Sequence, residues 1–154
     1  MVYVIIVVGI VLVIVAVVAV LVRAGAAKQE EQRRRAIPLF AEQRGELSAR
    51  FLEAAAATGK PRGLRWKAVE LSGSPLFAVD RADVLYSLVG ATISFEAIAG
   101  GAMEDVEAVG NLRSATAVFV HRDGQWTSEG RVIFNLEPGE AIERFDATLQ
   151  PFNG

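Results

Sequence analysis

The sequence predicts an α+β protein: an N-terminal transmembrane helix and a helical spacer, then a small antiparallel meander sheet of four to five strands packed with an N-terminal and a C-terminal helix. Three observations predict it. Residues 1–22 are apolar except Tyr3 and Gly9. Apolar residues recur at helical spacing between Pro38 and Thr58. From Leu64 onward they alternate with polar residues, as in half-buried strands.

The first element is a membrane-spanning helix. At about 1.5 Å per residue, a helix over residues 1–22 measures roughly 33 Å, enough to cross a hydrocarbon core of about 30 Å. A cleaved signal peptide is the alternative, since Ala24-Gly25-Ala26 resembles a small-residue cleavage site. The apolar run exceeds the usual signal-peptide core and no basic segment precedes it, so a retained signal-anchor is favoured.

Positive charge follows the span, whereas only the α-amine precedes it. The positive-inside rule therefore predicts a single-pass protein of the cell membrane with its C-terminal domain in the cytoplasm. Membrane lipid is the expected partner of residues 1–22, and the basic side chains are expected to contact anionic head groups. These side chains are Arg23, Lys28, Arg33, Arg34 and Arg35.

Residues 23–37 form a polar helical spacer, in which Glu30 and Arg34, and Glu31 and Arg35, stand at i, i+4. Pro38 lacks an amide hydrogen, so we expect the helix to kink or end there and a second helix to cover residues 38–58. The apolar side of that helix carries Phe40, Leu47, Phe51 and Ala54, with Leu52 and Ala55 beside them. Gly59-Lys60-Pro61-Arg62-Gly63 ends it.

The sheet is expected within residues 64–136. Asp123-Gly124 is typical of a two-residue type I′ hairpin turn, which places His121 opposite Trp126, Ala117 opposite Gly130 and Ala115 opposite Val132. Gly73-Ser74-Pro75 is expected to separate the first two strands. The predicted strands are Leu64–Leu71, Leu76–Val79, Val89–Ala97, Asn111–His121 and Trp126–Leu136.

Pro138 is expected to start a closing helix over residues 138–150 that ends before Pro151, with Phe145 and Leu149 on its apolar side. The predicted organisation is a transmembrane helix (1–22), a spacer (23–37) and a small α+β domain (38–154) with its helices on one apolar face of the sheet. In element order it resembles cystatin-like and nuclear-transport-factor-2-like domains. Some of these follow a single N-terminal span in bacterial membrane assemblies, which implies partner binding.

Composition excludes several classes of function. Residues 1–57 carry seven Lys or Arg and five Asp or Glu, whereas residues 58–154 carry nine and thirteen. Because the folded part is acidic, nucleic acid is not an expected partner. The absence of cysteine excludes disulfides, thiolate zinc sites, iron–sulfur clusters and cysteine nucleophiles.

The residues that could carry chemistry favour structural roles. His121 is the only histidine and is expected to pack on Trp126. The acidic loop of Glu104, Asp105 and Glu107 lacks the alternating ligands of a calcium loop. Glu96 and Glu129 show no partner carboxylate. Gly59-Lys60 lacks phosphate-loop spacing, and no serine occupies a Gly-x-Ser-x-Gly elbow. We predict no catalytic, cofactor-binding or metal-binding residue, no cofactor and no enzyme activity.

The expected function is a non-catalytic interaction or accessory domain at the membrane surface, with an unknown protein partner or self-association. Val118 and Val120 lie opposite Phe119 on their strand, so the sheet is predicted to be apolar on both faces. The alternative is a small-ligand-binding domain with a pocket between the curved sheet and a helix. A concave face filled by aromatic side chains would contradict that alternative. The aromatic residues available to fill it are Trp66, Phe95, Phe119, Trp126 and Phe145.

Overall fold

The structure, a computed structural model, describes residues 1–59, 61–145 and 147–154. It divides into two compact units, Met1–Arg35 and Ala36–Gly154. The first unit is helical from Val2 onward. The second is an antiparallel sheet with a helix against each face. The α+β prediction is therefore confirmed.

Helix α1 covers Val2–Thr58 without interruption, so the helix does not end at Pro38 and no second helix begins there. Proline removes one backbone hydrogen bond from a helix, but Ala36 and Phe40 on either side of it are buried in the second unit. That burial stabilises the helical path through the proline. The burial of Phe40, Leu47 and Phe51 confirms the predicted apolar side, although Ala55 is buried more completely than Ala54.

The sheet has six strands: β1 (Leu64–Asp80), β2 (Leu85–Ala97), β3 (Arg113–Arg122), β4 (Gln125–Thr127), β5 (Val132–Phe134) and β6 (Leu149–Pro151). Their order is β4-β3-β2-β1-β6, and β5 also pairs with β3. All pairs are antiparallel. A 3₁₀ turn, Glu107–Gly110, lies in the connection between β2 and β3.

The two strands predicted on either side of Gly73-Ser74-Pro75 are one strand, β1. Its pairing with β2 shifts register between Ser72 and Leu76 instead of ending. Strand β6 covers β1 only at Ala78–Asp80, so the segment around Pro75 lies at a sheet edge. A proline at an edge costs no ladder hydrogen bond, which explains why the strand continues.

The Asp123-Gly124 hairpin turn is confirmed, because both residues have positive φ and His121 pairs with Trp126. Beyond Thr127 the predicted register is wrong. The strand expected over Trp126–Leu136 is broken into β4 and β5, and Ala117 pairs with Val132 instead of Gly130. Likewise Ala115 pairs with Phe134 instead of Val132. The intervening residues leave the ladder because Gly130 lies against the backbone of Ala54 and Ala55 in α1.

The closing helix is shorter than predicted. Helix α2 covers Pro138–Arg144, and Leu149–Pro151 forms β6 instead of continuing the helix to residue 150. Glu137 and Glu140 form a capping box at its start. The helices also lie on opposite faces of the sheet, not on one. Helix α1 packs on the face of Val89, Ala117 and Phe119, whereas α2 packs on the face of Ala78 and Leu88.

Candidate functional site

Aromatic side chains fill the face of the sheet that α1 covers. Phe40 of α1 lies 5.3 Å from Phe119 and 5.0 Å from Trp126, measured between ring centroids, and 6.0 Å from Phe77. The indole Nε1 of Trp126 donates a hydrogen bond of 2.8 Å to the carbonyl of Ala36. These side chains are buried or half-buried, so the contact of α1 with the sheet is a packed core. It offers no surface for recognition.

The end of α1 is also held by an indole. Trp66 packs against Phe95 at 4.9 Å between ring centroids, and its Nε1 donates a hydrogen bond of 2.6 Å to the Gly59 carbonyl. Phe145, by contrast, lies on the opposite side of the sheet and is 41% exposed. Four of the five aromatic residues expected to fill a concave face therefore belong to the α1 face, and the fifth does not.

A first cavity, the α2-face pocket, opens on the other side of the sheet. Its volume is about 380 Å³. Val118, which the sequence places opposite Phe119, lines it, so the second apolar face is present and only partly covered. The apolar lining includes Leu88, Val118, Ile133, Phe145 and Leu149.

Polar groups lie at the α2-face pocket as well. The Tyr86 hydroxyl donates a hydrogen bond of 3.2 Å to Oδ2 of Asp80, while Oδ1 accepts bonds from the amides of Ala82 and Val84. Burial raises the pKa of Tyr86, and the negative charge of Asp80 adds to the rise, whereas Arg122 opposes it. Tyr86 therefore stays protonated and acts as a neutral donor.

A second cavity, the end cleft, lies where β1 begins and β2 ends. Its volume is about 360 Å³, and its lining is mostly apolar, with Arg113 and Asn135 as its polar side chains. The principal lining residues are Leu64, Phe95, Met103, Val106, Val109 and Phe134. Val106 and Phe134 are 40% and 41% exposed, so part of this apolar surface faces solvent.

The loop that supplies part of the cleft lining also carries acidic side chains. Glu104, Asp105 and Glu107 alternate along the loop with the lining residues Met103 and Val106, and all three acidic residues are exposed. Glu104 accepts a hydrogen bond of 2.8 Å from the Gly100 amide. Within residues 1–59, 61–145 and 147–154, Asp105 and Glu107 have no ion-pair partner. The loop therefore carries unpaired carboxylates next to apolar lining residues, while the charged residue that itself lines the cleft is Arg113.

His121 packs on Trp126 as predicted, with ring centroids 5.2 Å apart. Burial lowers the pKa of His121 below its ordinary value of 6.5, and a hydrogen bond with the Gly124 backbone partly opposes that change. In the described part of the chain, no group of three or more His, Asp or Glu residues is placed to hold a metal ion. His121 is thus a neutral aromatic partner at the hairpin.

The remaining acidic candidates have partners. Glu96 accepts a bond of 2.8 Å from Arg65, and Glu129 one of 3.0 Å from Arg122. Among the serines, Ser128 accepts a hydrogen bond from the Gly130 amide, while the buried Ser87 hydroxyl has no partner among the residues described. Lys60 of the Gly59-Lys60 pair lies outside the described residues.

The basic side chains after the apolar segment divide into two sets. Arg34 pairs with Glu30 at 3.1 Å and Arg35 with Glu31 at 2.8 Å, as the i, i+4 spacing predicts. Arg23 and Lys28 are exposed, and neither has an ion-pair partner in the described ranges of the chain.

No family model, curated protein or solved structure matches this chain. The element-order resemblance to cystatin-like and nuclear-transport-factor-2-like domains is therefore without a matching structure.

Sequence reasoning missed the end cleft, although a signal for it exists. Met103, Val106 and Val109 recur every third residue through the acidic loop, and all three line the cleft. The acidic residues between them drew attention to metal binding instead. Phe134 belongs to the continuous strand predicted over Trp126–Leu136; in the structure it lies in β5, after the break, and lines the cleft.

Proposed function

We propose that this protein is a single-pass membrane-anchored, non-catalytic interaction domain. The observation that carries the proposal is the exposure of the N-terminal apolar segment. Helix α1 is the one helix in the described residues that is long and apolar enough to cross a membrane, and none of its most apolar 18-residue stretch is buried. Such a surface is stable in lipid and costly in water, at about 25 cal/mol for each Å² of apolar surface.

Charge after the span supports an orientation. Arg23 and Lys28 are exposed and without carboxylate partners in the described chain, so they are free to contact anionic head groups near the membrane surface. Arg33, Arg34 and Arg35 add positive charge to the same side. By the positive-inside rule, the second unit, Ala36–Gly154, lies in the cytoplasm.

The interaction role is supported by the rest of the second unit. Its α1 face is a packed aromatic core, and its acidic and imidazole side chains are paired, packed or solvated instead of converging on one point. The end cleft leaves apolar side chains in contact with solvent beside unpaired carboxylates. This combination favours recognition of a partner over chemistry.

Cysteine accessibility tests the anchor and its orientation. The natural chain has no cysteine, so each introduced thiol is the only one present. We expect a membrane-impermeant maleimide to leave Val13→Cys unmodified in native membranes. Gly154→Cys should react only after the cells are permeabilised. Reaction of Val13→Cys in native membranes would contradict anchoring. Reaction of Gly154→Cys in intact cells would contradict the cytoplasmic placement alone.

The α2-face pocket favours a second candidate function, the binding of a small apolar ligand. Its volume of about 380 Å³ lies within the usual range of ligand pockets, about 300–1,000 Å³. Tyr86 supplies a polar hydroxyl beside the apolar floor of Leu88 and Val118, its proton being donated to Asp80. Native mass spectrometry of the full chain tests this function. A retained small molecule that Val118→Phe excludes would support it, and a spectrum of bare protein would count against it.

A further inference from the structure

The two edges of the sheet differ greatly in length. At one edge, the strands β4 and β5 have three residues each. At the other, β1 has 17 residues, and β6 pairs with it only at Ala78–Asp80, followed by a bond from the Phe152 amide to the Phe77 carbonyl. In the described ranges of the chain, no strand pairs with the outer side of residues 64–76. A long open edge is a template for pairing with another chain.

Two irregularities shorten the part of this edge that could pair. The register of β1 with β2 shifts after Trp66 and again after Ser72. The second shift contains Gly73, which has a φ of 71°, and Pro75, which lacks an amide hydrogen. Bulges and proline both oppose pairing at a sheet edge. The regular stretch that is left for a new strand is therefore Ala68–Ser72.

Helix α1 supplies hydrogen-bond donors to this stretch. Ser48 Oγ donates a bond of 3.3 Å to the carbonyl of Val69, in the middle of the stretch. Arg44 Nη1 donates one of 2.9 Å to the carbonyl of Gly73, just beyond its end. The two donors stand one helical turn apart, beside Leu47, whose burial in the core holds this side of α1 against the sheet. A strand added at this edge would need carbonyl acceptors for its own amides.

We propose that Ser48 and Arg44 close the open edge of β1 to strand pairing with a second copy of the chain. Every copy presents the same edge, and two identical edges can pair antiparallel about a two-fold axis. A second β1 would compete with α1 for the carbonyls of Val69 and Gly73. Helix α1 has the advantage in that competition, because the fold already holds its donors in place, whereas a second copy loses translational and rotational freedom on binding.

Crosslinking through an introduced cysteine tests the proposal on the full chain in detergent. The natural chain has no cysteine, so a bis-maleimide joins two copies only through the introduced thiol. Glu70→Cys places the thiol on the exposed middle of the open edge, and Gln125→Cys places it on β4 at the other edge. Adding Arg44→Ala and Ser48→Ala should raise the yield of crosslinked dimer at Glu70→Cys about tenfold, since two competing hydrogen bonds are lost. The yield at Gln125→Cys should stay unchanged.

Matched variants separate the loss of these donors from a weakened helix. Arg44→Lys with Ser48→Thr keeps a donor at both positions and should not raise the yield. Arg50→Ala removes an arginine that is bonded along the exposed side of α1, and it should not raise the yield either. If circular dichroism shows that the double alanine variant unfolds, Ser48→Ala alone gives the test, with a smaller rise. An unchanged yield at Glu70→Cys in the folded alanine variant, or an equal rise in any control including Gln125→Cys, would overturn the proposal.

Discussion

Two hydroxyl side chains are buried in the described part of the sheet, and they differ in their hydrogen bonding. Thr116 donates a hydrogen bond of 2.7 Å to the Leu136 carbonyl. Ser87 lies opposite Phe77 and Phe119 in the register, and its hydroxyl has no partner among the described residues. A buried hydroxyl without a partner has lost its hydration and gained nothing in exchange.

We therefore expect Ser87→Ala to leave the free energy of unfolding unchanged or to raise it. Thr116→Val should lower it by about 1–3 kcal/mol, because the Leu136 carbonyl loses its donor. Chemical denaturation of both variants in detergent measures the difference. An equal loss in the two variants would mean that Ser87 has a partner in solution.

The pH dependence of stability follows from His121. Burial lowers its pKa in the folded state below 6.5, so the folded protein disfavours the imidazolium. The associated stability is present above pH 6.5 and is lost as pH falls through the lowered pKa. We expect His121→Gln to flatten the fall in thermal stability on acidification from pH 7. If the substitution does not change the slope of thermal stability against pH, the fall in stability comes from carboxylates instead.

Residue-level predictions succeeded where partners are close in sequence. The contact between His121 and Trp126 follows from the hairpin turn between them and is confirmed. Arg65 as the partner of Glu96 was not predicted, because the two residues are 31 positions apart and meet only through the register of β1 with β2. The aromatic core around Phe40 likewise joins residues of α1, β1 and β4 that no local pattern connects.

At the level of elements, α1 contains a proline that its structure does not require. Pro38 is exposed, so its ring adds little packing, while it lacks the amide that a helix interior uses. Pro38→Ala should restore one helical hydrogen bond and raise the free energy of unfolding by up to about 3 kcal/mol. Denaturant unfolding checks this, and a destabilised Pro38→Ala protein would indicate that the helix is broken there.

The packing of α1 on the sheet depends on a glycine. A Cβ at Gly130 would collide with the backbone of Ala54 and Ala55, which is rigid helix. Gly124 is the matched control, because its φ of 78° is close to the 71° of Gly130 while no atom lies near its Cβ position. We expect Gly124→Ala to cost about 1–2 kcal/mol from backbone strain alone.

Gly130→Ala should cost at least about 2 kcal/mol more than Gly124→Ala, because α1 and the segment between β4 and β5 must separate. Thermal unfolding of the two variants gives the comparison. Equal losses of stability in the two variants would show that positive φ, and not the close approach of α1, is the reason for glycine at position 130.

Elements defined by local chemistry were predictable, and those defined by tertiary contact were not. Asp123-Gly124 predicts its own turn, since both residues accept positive φ. The break between β4 and β5 arises from the approach of α1 at Gly130, and nothing adjacent in sequence indicates it. Similarly, Leu149 continues the helical spacing of α2 but lies in β6, because the edge of β1 offers a partner there.

At the scale of the whole molecule, the second apolar face of the sheet, which Val118 and Val120 predict, is only partly covered. Helix α2 covers part of that face, and the remainder lines the α2-face pocket. Which face α2 occupies follows from the path of the chain after β5, so sequence periodicity alone left it open. The first 22 residues required no tertiary information, because an uninterrupted apolar run is a property of the sequence itself.

Membrane anchoring requires that residues 1–22 are held in lipid, and alkaline carbonate extraction of membranes tests this directly. We predict that the full chain stays in the membrane pellet and that Val11→Leu with Val15→Leu stays with it. Val11→Arg with Val15→Arg should move protein to the supernatant, since each arginine at mid-span costs about 2.5–3.5 kcal/mol. Release of the wild-type chain into the carbonate supernatant would contradict the account.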